Sequence, residues 1–437
     1  MATDVRSGDA PEELTIFAVS SGAPPSAIAI IRLSGNQAFA AATALCGRLP
    51  PPRQARVRTL RDPASAELLD RAMILALPGP ATATGEDVVE LHCHGGRAIV
   101  DAIERALARL PGCRRAEPGE FTRRALRNGR IDLAQAEALG ELLRAETEWQ
   151  RRHALHAAEG GLGRAIDQWR GSLVRQAALI EAALAFEEEE EVAGGASFDR
   201  SAIEEVLADM RTMLDQPPVE RLHDGIRVVL AGPPNAGKST LLNAMVGREA
   251  AIVTPHAGTT RDRVEVPVQR DGIAYVLIDT AGLRETEDEI EAVGISRAEA
   301  AMHAADIVLW LGDEPAPAVG GLTLELHPRC DQAERASTGR RVAVSGFTGE
   351  GVPRLWAELR TASARLLPRE GEVALNRRQR GLMVDAAEAL TAAIDQDDDV
   401  LAAEELRSAL MMFDRLTGRA GVDAVLDEVF STFCLGK

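Results

Sequence analysis

The chain has 437 residues, 46% of them apolar and 27% charged, and 49 basic residues against 67 acidic ones leave a formal charge of −18. That length predicts about three domains of roughly 150 residues each, with an ordinary globular composition. Membrane-spanning and secreted classes are not expected: no apolar run approaches the ~18 residues of a span, the first fourteen residues carry acids and no apolar signal core, and cysteines 46, 93, 113, 330 and 434 fall in no paired spacing, as expected of reduced thiols in the cytoplasm.

Residues 1–128 mix short strand patterns with amphipathic stretches and predict one α+β domain. Strands are expected at Ala27–Leu33, Ala72–Ala76 and Val88–His92, and a helix at Ala98–Leu110. Within this part, residues 105–130 carry eight arginines against Glu117 and Glu120. In so acidic a chain that stretch is either a phosphate-contacting face for RNA or a set of intramolecular ion pairs. His92, Cys93 and His94 lie side by side, as metal ligands or as satisfied polar groups.

From Leu133 to about Met213 the pattern is helical, with breaks near Gly160–Gly163 and Ala193–Ser197. The acid run Glu187–Glu191 reads as a cation site or as a solvated helix end. Gln216-Pro217-Pro218 is a linker, so residues 129–218 form one helical segment. Residues 219–373 alternate β-branched runs, glycine loops and helices, which predicts a parallel sheet. Residues 374–437 are helical again, with helices over Leu382–Ile394, Leu401–Leu416 and Val422–Phe433. Two helical blocks flanking an α/β unit predict one helical domain with that unit inserted in it.

The strongest motif lies in the inserted unit. The strand Arg227–Ala231 runs into Gly232-Pro-Pro-Asn235-Ala236-Gly237-Lys238-Ser239, and a helix opens at Thr240. This is G-x-x-x-x-G-K-S between a strand and a helix, a loop whose N–H groups cradle phosphates. Its lysine reaches the β- and γ-phosphates and its serine hydroxyl ligates Mg²⁺. Only Lys238 and Lys437 are lysines; the other 47 basic residues are arginines. A lysine kept in such a background suggests a place where a compact ammonium is needed and a planar guanidinium does not serve.

Three further blocks follow in order. Gly258-Thr259-Thr260-Arg261-Asp262 stands at the first switch, with Thr260 as a second Mg²⁺ ligand. Asp279-Thr280-Ala281-Gly282 follows the strand Tyr275–Ile278; Asp279 would hold the Mg²⁺ shell and the Gly282 N–H the γ-phosphate. Ser345-Gly346-Phe347 follows the strand Arg341–Val344 and fits the loop behind a guanine. The guanine-reading N-K-x-D is altered. Its best counterpart is Pro328-Arg329-Cys330-Asp331, where Asp331 accepts from the base, unless this is an unrelated loop. Leu283 occupies the position where Ras-type enzymes place a water-orienting glutamine. Water must therefore be placed by a residue such as Glu291 or by a partner. Asn235 is positioned to ligate a monovalent cation, which would stabilise charge as an arginine finger does.

With these blocks go Ile28–Gly35, Thr84–Gly96, Pro118–Ala138 and the ending Phe433-Cys434-Leu435-Gly436-Lys437. From about Thr15 to Lys437 the chain resembles the MnmE (TrmE) family of tRNA-modification GTPases, whose ending F-C-I-G-K differs by one residue. The resemblance implies a multidomain α/β plus α fold: an N-terminal tetrahydrofolate-binding and dimerisation domain, a discontinuous helical domain and an inserted Ras-like G domain. It implies a cytoplasmic homodimer, working with the flavoprotein MnmG, which brings FAD and NADH. Together they place a carboxymethylaminomethyl or aminomethyl group on C5 of the wobble uridine of certain tRNAs. The carbon comes from a 5-formyl or methylene form of tetrahydrofolate, and GTP hydrolysis drives potassium-aided pairing of G domains.

Carried over residue by residue, the resemblance puts folate contacts at Arg32, Glu90, Arg130 and Lys437. It puts GTP contacts at Asn235–Thr240, at Thr254, Pro255, His256, Ala257, Gly258, Thr259 and Thr260, at Asp279–Gly282, at Asp331 and at Ser345–Phe347. It puts K⁺ at Asn235, Thr254, His256 and Thr259, and catalysis at Glu291 and Arg284, with Glu285 completing that block. Cys434 is a nucleophile or a buried structural thiol. Gly22–Ser26 departs from the family's G-R-G-G loop. A regulatory RNA-binding GTPase switch, for instance in ribosome assembly, is the competing reading; it has no use for the N-terminal block or the cysteine-bearing tail.

Overall fold

A computed structural model describes residues 14–185, 198–247, 265–280, 299–318, 320–332, 341–369, 371–420 and 436. Two compact units divide the chain: residues 1–140 with 414–437, and residues 141–413.

The first unit is built on six strands: β1 (Thr15–Val19), β2 (Ile28–Ser34), β3 (Arg56–Arg61), β4 (Leu68–Leu77), β5 (Val88–His94) and β6 (Cys113–Arg115). Their order is β3-β4-β5-β2-β1-β6, antiparallel except for β1 beside β6. Alternation decides which face is buried. Ala29, Ile31 and Leu33 of β2 and Val89, Leu91 and Cys93 of β5 turn inward, onto apolar residues of α1 (Ala38–Cys46) and α2 (Arg97–Ala108). The opposite face carries Arg32, Glu90 and His92 (Arg32 opposite Glu90, and Ile30 opposite His92). Two further helices, α3 (Glu120–Arg127) and α4 (Leu133–Arg144), complete the passage to the second unit.

The expected strands at 27–33, 72–76 and 88–92 and the helix at 98–110 fall on β2, β4, β5 and α2. The metal reading of His92-Cys93-His94 fails on the same alternation. Cys93 points into the core and bonds the Ala29 carbonyl, away from its two neighbours. Among the described residues no group of three His, Cys, Asp or Glu side chains is placed to hold a metal.

The second unit joins helices to a second sheet. Its first helices are α5 (Glu148–Ala158), α6 (Gly161–Ala185), α7 (Arg200–Leu214) and α8 (Glu220–Asp224). Strand β7 (Ile226–Ala231) and helix α9 (Lys238–Val246) follow, then β8 (Glu265–Arg270), β9 (Ile273–Asp279), β10 (Ile307–Trp310), β11 (Leu322–Pro328) and β12 (Val342–Val344). Helices α10 (Val352–Ser363), α11 (Arg377–Asp395) and α12 (Asp399–Thr417) close the described chain. The sheet order is β12-β11-β10-β7-β9-β8, parallel except for β8 against β9. The helical stretches expected at 382–394 and 401–416 fall in α11 and α12; residues 422–433 lie outside the described residues, as do Glu187–Glu191. Trp169 of α6 meets Phe413 of α12 with ring centroids 5.9 Å apart. No described helix is long and apolar enough to cross a membrane.

Helix α5 seats the sheet against the helices. Thr147 and Gln150 form a reciprocal capping box, and the Gln150 amide also donates to the Leu222 carbonyl of α8 at 2.6 Å. Trp149 packs at the β8–β9 turn, its ring 3.4 Å from the place a Cβ on Gly272 would take. One turn on, His153 is 8% exposed. Burial, helped by His156 and His223, pushes its pKa down to about 4, so it is held neutral.

Candidate functional site

The parallel strands of the second sheet end together, and the loops at their carboxyl ends are where an α/β sheet holds its ligands. The loop 232–237 leaves β7 and turns into α9. Asn235 takes a left-handed φ of 60°. Lys238 is 6% exposed, and its ammonium donates to the carbonyls of Gly232 at 3.0 Å and Pro233 at 2.9 Å. The ammonium is thus held across the loop, among the N–H groups at the start of α9.

Ser239, in the first turn of α9, and Asp279, the last residue of β9, meet here. The Ser239 hydroxyl donates to Asp279 Oδ2 at 2.5 Å. Asp279 ends β9 and is buried; the next residue, Thr280, anchors that end by donating to the Leu230 carbonyl at 2.8 Å. A hydroxyl and a carboxylate oxygen side by side beside a phosphate loop form the oxygen donor set that Mg²⁺ takes.

Loops from β11 and β12 close the other side. The Arg329 guanidinium donates to the Asn235 carbonyl, bridging the β11 loop to the phosphate loop. Cys330 N–H donates to the Val344 carbonyl at 3.3 Å, tying the β11 and β12 loops together. Gly346 packs so closely on α9 that a Cβ would lie 2.7 Å from Leu241 N and Thr240 C. Asp331 is exposed at the rim. The loop Pro328–Asp331 therefore lies against the phosphate loop, with Arg329 contacting it directly.

The family models add the decisive comparison. A model described as the GTP-binding protein TrmE N-terminus matches residues 15–130, and one described as the MnmE helical domain matches residues 133–434. The chain belongs to the MnmE family. The tRNA modification GTPase MnmE of Erythrobacter litoralis is 50% identical to it, over 97% of this chain and 100% of that one. Those of Rhizorhabdus wittichii, at 52%, and Zymomonas mobilis, at 49%, likewise match over 97% of this chain and 96% and 100% of their own.

Of the residues expected from the MnmE resemblance, the structure brings together Asn235–Ser239, Asp279, Asp331 and Ser345–Phe347 around one sheet edge. Thr254–Thr260, Ala281, Gly282, Arg284, Glu285, Glu291, Cys434 and Lys437 lie outside the described residues. In the first unit Arg32 and Glu90 pair at 2.9 Å, and His92 Nε2 reaches the other Glu90 oxygen at 3.2 Å. Arg130 is held by the preceding loop, its Nε donating to the Thr82 carbonyl at 3.2 Å. Gly436 is docked on β1: Ser20 Oγ donates to its carbonyl at 2.7 Å. At its φ of 89° a Cβ would sit 2.0 Å from the Val19 carbonyl oxygen, so only glycine fits.

The arginine-rich stretch differs from an open phosphate-binding face. Arg109 pairs with Asp62, Arg114 with Glu120 and Arg115 with Glu104. Arg124 is 6% exposed and bonds Glu86, Glu120 and the Leu14 carbonyl. Of the acids that answer these arginines only Glu120 lies within 105–130; Asp62, Glu86 and Glu104 lie outside it, so a charge count over that stretch left those three out. Four of the eight are committed to holding the first unit together.

Proposed function

We propose that the chain is the GTP-hydrolysing component of the complex that adds a carboxymethylaminomethyl or aminomethyl group to C5 of the wobble uridine of certain tRNAs. The observation that carries the hydrolysis is the meeting of Ser239 and Asp279 beside the buried Lys238 ammonium. Family membership, at about half identity over nearly the whole chain, supports the tRNA substrate.

Ser239 and Asp279, with Thr260, would hold Mg²⁺, which when bound neutralises charge between the β- and γ-phosphates. Lys238 turns its ammonium from the loop carbonyls to the phosphate oxygens. Leu283 has no polar group to orient water, so Glu291 takes that part, with Arg284 as a second catalytic residue. Asn235, Thr254, His256 and Thr259 hold K⁺ as two G domains pair.

Arg32, Glu90, Arg130 and Lys437 hold the tetrahydrofolate derivative. Glu90 suits its donor-rich pterin edge, since a carboxylate bonded to Arg32 and His92 retains acceptor capacity. The remaining reading follows the family: a cytoplasmic homodimer through residues 1–128, one helical domain from 129–218 and 374–437, a G domain over 219–373, and a flavoprotein partner, MnmG, that brings FAD and NADH. Cys434 is the nucleophile candidate of this reading, with a structural thiol as its alternative.

The test is hydrolysis of GTP and of ATP by the purified protein, each in potassium and in sodium. Potassium-stimulated turnover of GTP over ATP is expected. Equal rates in the two cations would remove the cation role of Asn235, and equal rates with the two nucleotides would remove guanine selection by Asp331.

A further inference from the structure

Arg109, Arg114, Arg115 and Arg124 are committed to ion pairs inside the first unit. The tRNA of the proposed function needs another basic surface, and the inference below rests on that function and names the surface. From Leu14 to Arg61 the chain holds no Asp, Glu, Lys or His, and Arg32, Arg48, Arg53, Arg56, Arg58 and Arg61 bear all the charge. This stretch lies in a chain with 67 acids against 49 bases. Arg32 pairs with Glu90 on the open face of the sheet. The other five arginines belong to β3 and the segment that leads into it from α1.

Strand β3 is an edge of the first sheet. Arg56 stands opposite Ile74 and Arg58 opposite Ala72, both fully buried, so these two arginines leave the strand on its α1 side. Arg58 Nε donates to the Arg48 carbonyl at 3.1 Å, which fastens the strand to the end of α1. Arg48, Arg53, Arg56 and Arg61 are exposed. Their guanidiniums meet neutral acceptors only: Arg53 the Ala81 carbonyl at 2.6 Å, Arg56 the Gln54 Oε1 at 3.4 Å and Arg61 the Ala66 carbonyl at 3.0 Å. Among the described residues none of the five forms an ion pair. In the β3–β4 hairpin, Asp62 is engaged by Arg109 and Asp70 by His94, which leaves Glu67 at the tip. At about 3.3 Å per residue, the row from Arg53 to Arg61 runs roughly 25 Å.

We propose that this rim, the end of α1 with β3, is where the first unit meets the phosphate backbone of tRNA. Charges on an edge strand also keep it from pairing with another chain, but either sign does that. In a chain of formal charge −18, arginine at every charged position of β3 answers an anion instead. A second copy of β3 laid against this one about a two-fold axis would set arginine against arginine, which disfavours a contact between copies. Guanidiniums free of carboxylates displace counterions from a phosphate backbone, and their planar fork matches a phosphate. From Ala40 to Arg61 there is no aromatic ring to stack on a base. The contact therefore positions the RNA and does not read its sequence.

The experiment is binding of unfractionated tRNA by the full chain over a range of salt concentrations. Arg48, Arg56 and Arg61 are changed together to Gln and, in a second variant, together to Lys. A third variant carries Gln at Arg164, Arg354 and Arg369, three exposed arginines of the second unit. The first variant is expected to bind about tenfold or more weakly at low salt, with a slope of log K against log salt shallower by about 2 to 3. The lysine variant keeps affinity and slope, because the charge is kept, and the third variant keeps the slope. GTP turnover and melting temperature stay unchanged in all three. An unchanged slope in the first variant, an equal loss in the lysine variant or an equal loss in the third overturns the surface and leaves the tRNA reading standing. A changed oligomeric state with unchanged tRNA affinity also overturns it and gives the rim to a second copy. Absence of tRNA binding by the unaltered chain at low salt overturns the surface and the reading together.

Discussion

Ser239 Oγ and Asp279 Oδ2 lie 2.5 Å apart although forty residues separate them in the chain. Asp279 ends β9, and Ser239 stands at the start of α9, which the phosphate loop delivers from the end of the neighbouring parallel strand β7. Ser239→Ala or Asp279→Asn is expected to lower GTP turnover by about 100-fold or more, the scale of removing one preorganised electrostatic group. Phosphate release under saturating GTP and a range of Mg²⁺ concentrations measures it. Activity within a few-fold of the unaltered protein in both variants would remove this pair from the mechanism.

Lys238→Arg tests the scarcity of lysine directly. The ammonium occupies a buried position between two loop carbonyls at 3.0 and 2.9 Å. A guanidinium keeps the charge but is wider and planar. The variant is expected to fold, with an unchanged melting temperature within about 3 °C, and to lose GTP turnover by roughly 100-fold. Near-normal turnover would mean that charge alone suffices there.

Arg124→Glu distinguishes a structural arginine from an RNA contact. It would place a carboxylate beside Glu86 and Glu120 in a buried site. A loss of about 3–5 kcal/mol of stability is expected from breaking such a pair, seen as a lowered denaturant midpoint. A variant of native stability that binds tRNA weakly would instead restore the phosphate-contact reading of residues 105–130.

The contrast between these sites shows what a single sequence conveys. The strand, loop and helix from Arg227 to Val246 are local, and spacing alone places Lys238 and Ser239. Arg124 is the opposite case. Its partner Glu86 lies 38 residues away, brought near by the sheet, and no local pattern records it. Likewise β10, which lies between β7 and β11, is four residues long and gives too short a signal to be read as a strand. The junction at Trp149, Gln150 and His153 was silent for a related reason: its meaning comes from the β8–β9 turn and α8, which are far away in the chain.

His153 makes stability depend on pH. Its folded pKa of about 4 lies below its ordinary value near 6.5. As pH falls from 6.5 toward 4 the unfolded chain takes up a proton that the folded chain refuses. The folded state therefore loses stability through that window, by about 3 kcal/mol for this group, and gains none from it above pH 7. His153→Leu is expected to flatten this part of the profile, read as the difference between urea midpoints at pH 7 and pH 5. An equal difference in variant and native protein would show that the proton is taken up elsewhere.

The docking of Gly436 on β1 bears on how the molecule is made. Its contact with Ser20 closes a loop of 416 residues, and residues 414–437 belong with residues 1–140 although unit two lies between them in sequence. Closing so long a loop in an unstructured chain is entropically unfavourable; folding the intervening 273 residues first shortens the effective tether. β1 itself is paired on both sides, by β2 and β6, so the contact of Gly436 fastens the end of a sheet that residues 15–115 already complete.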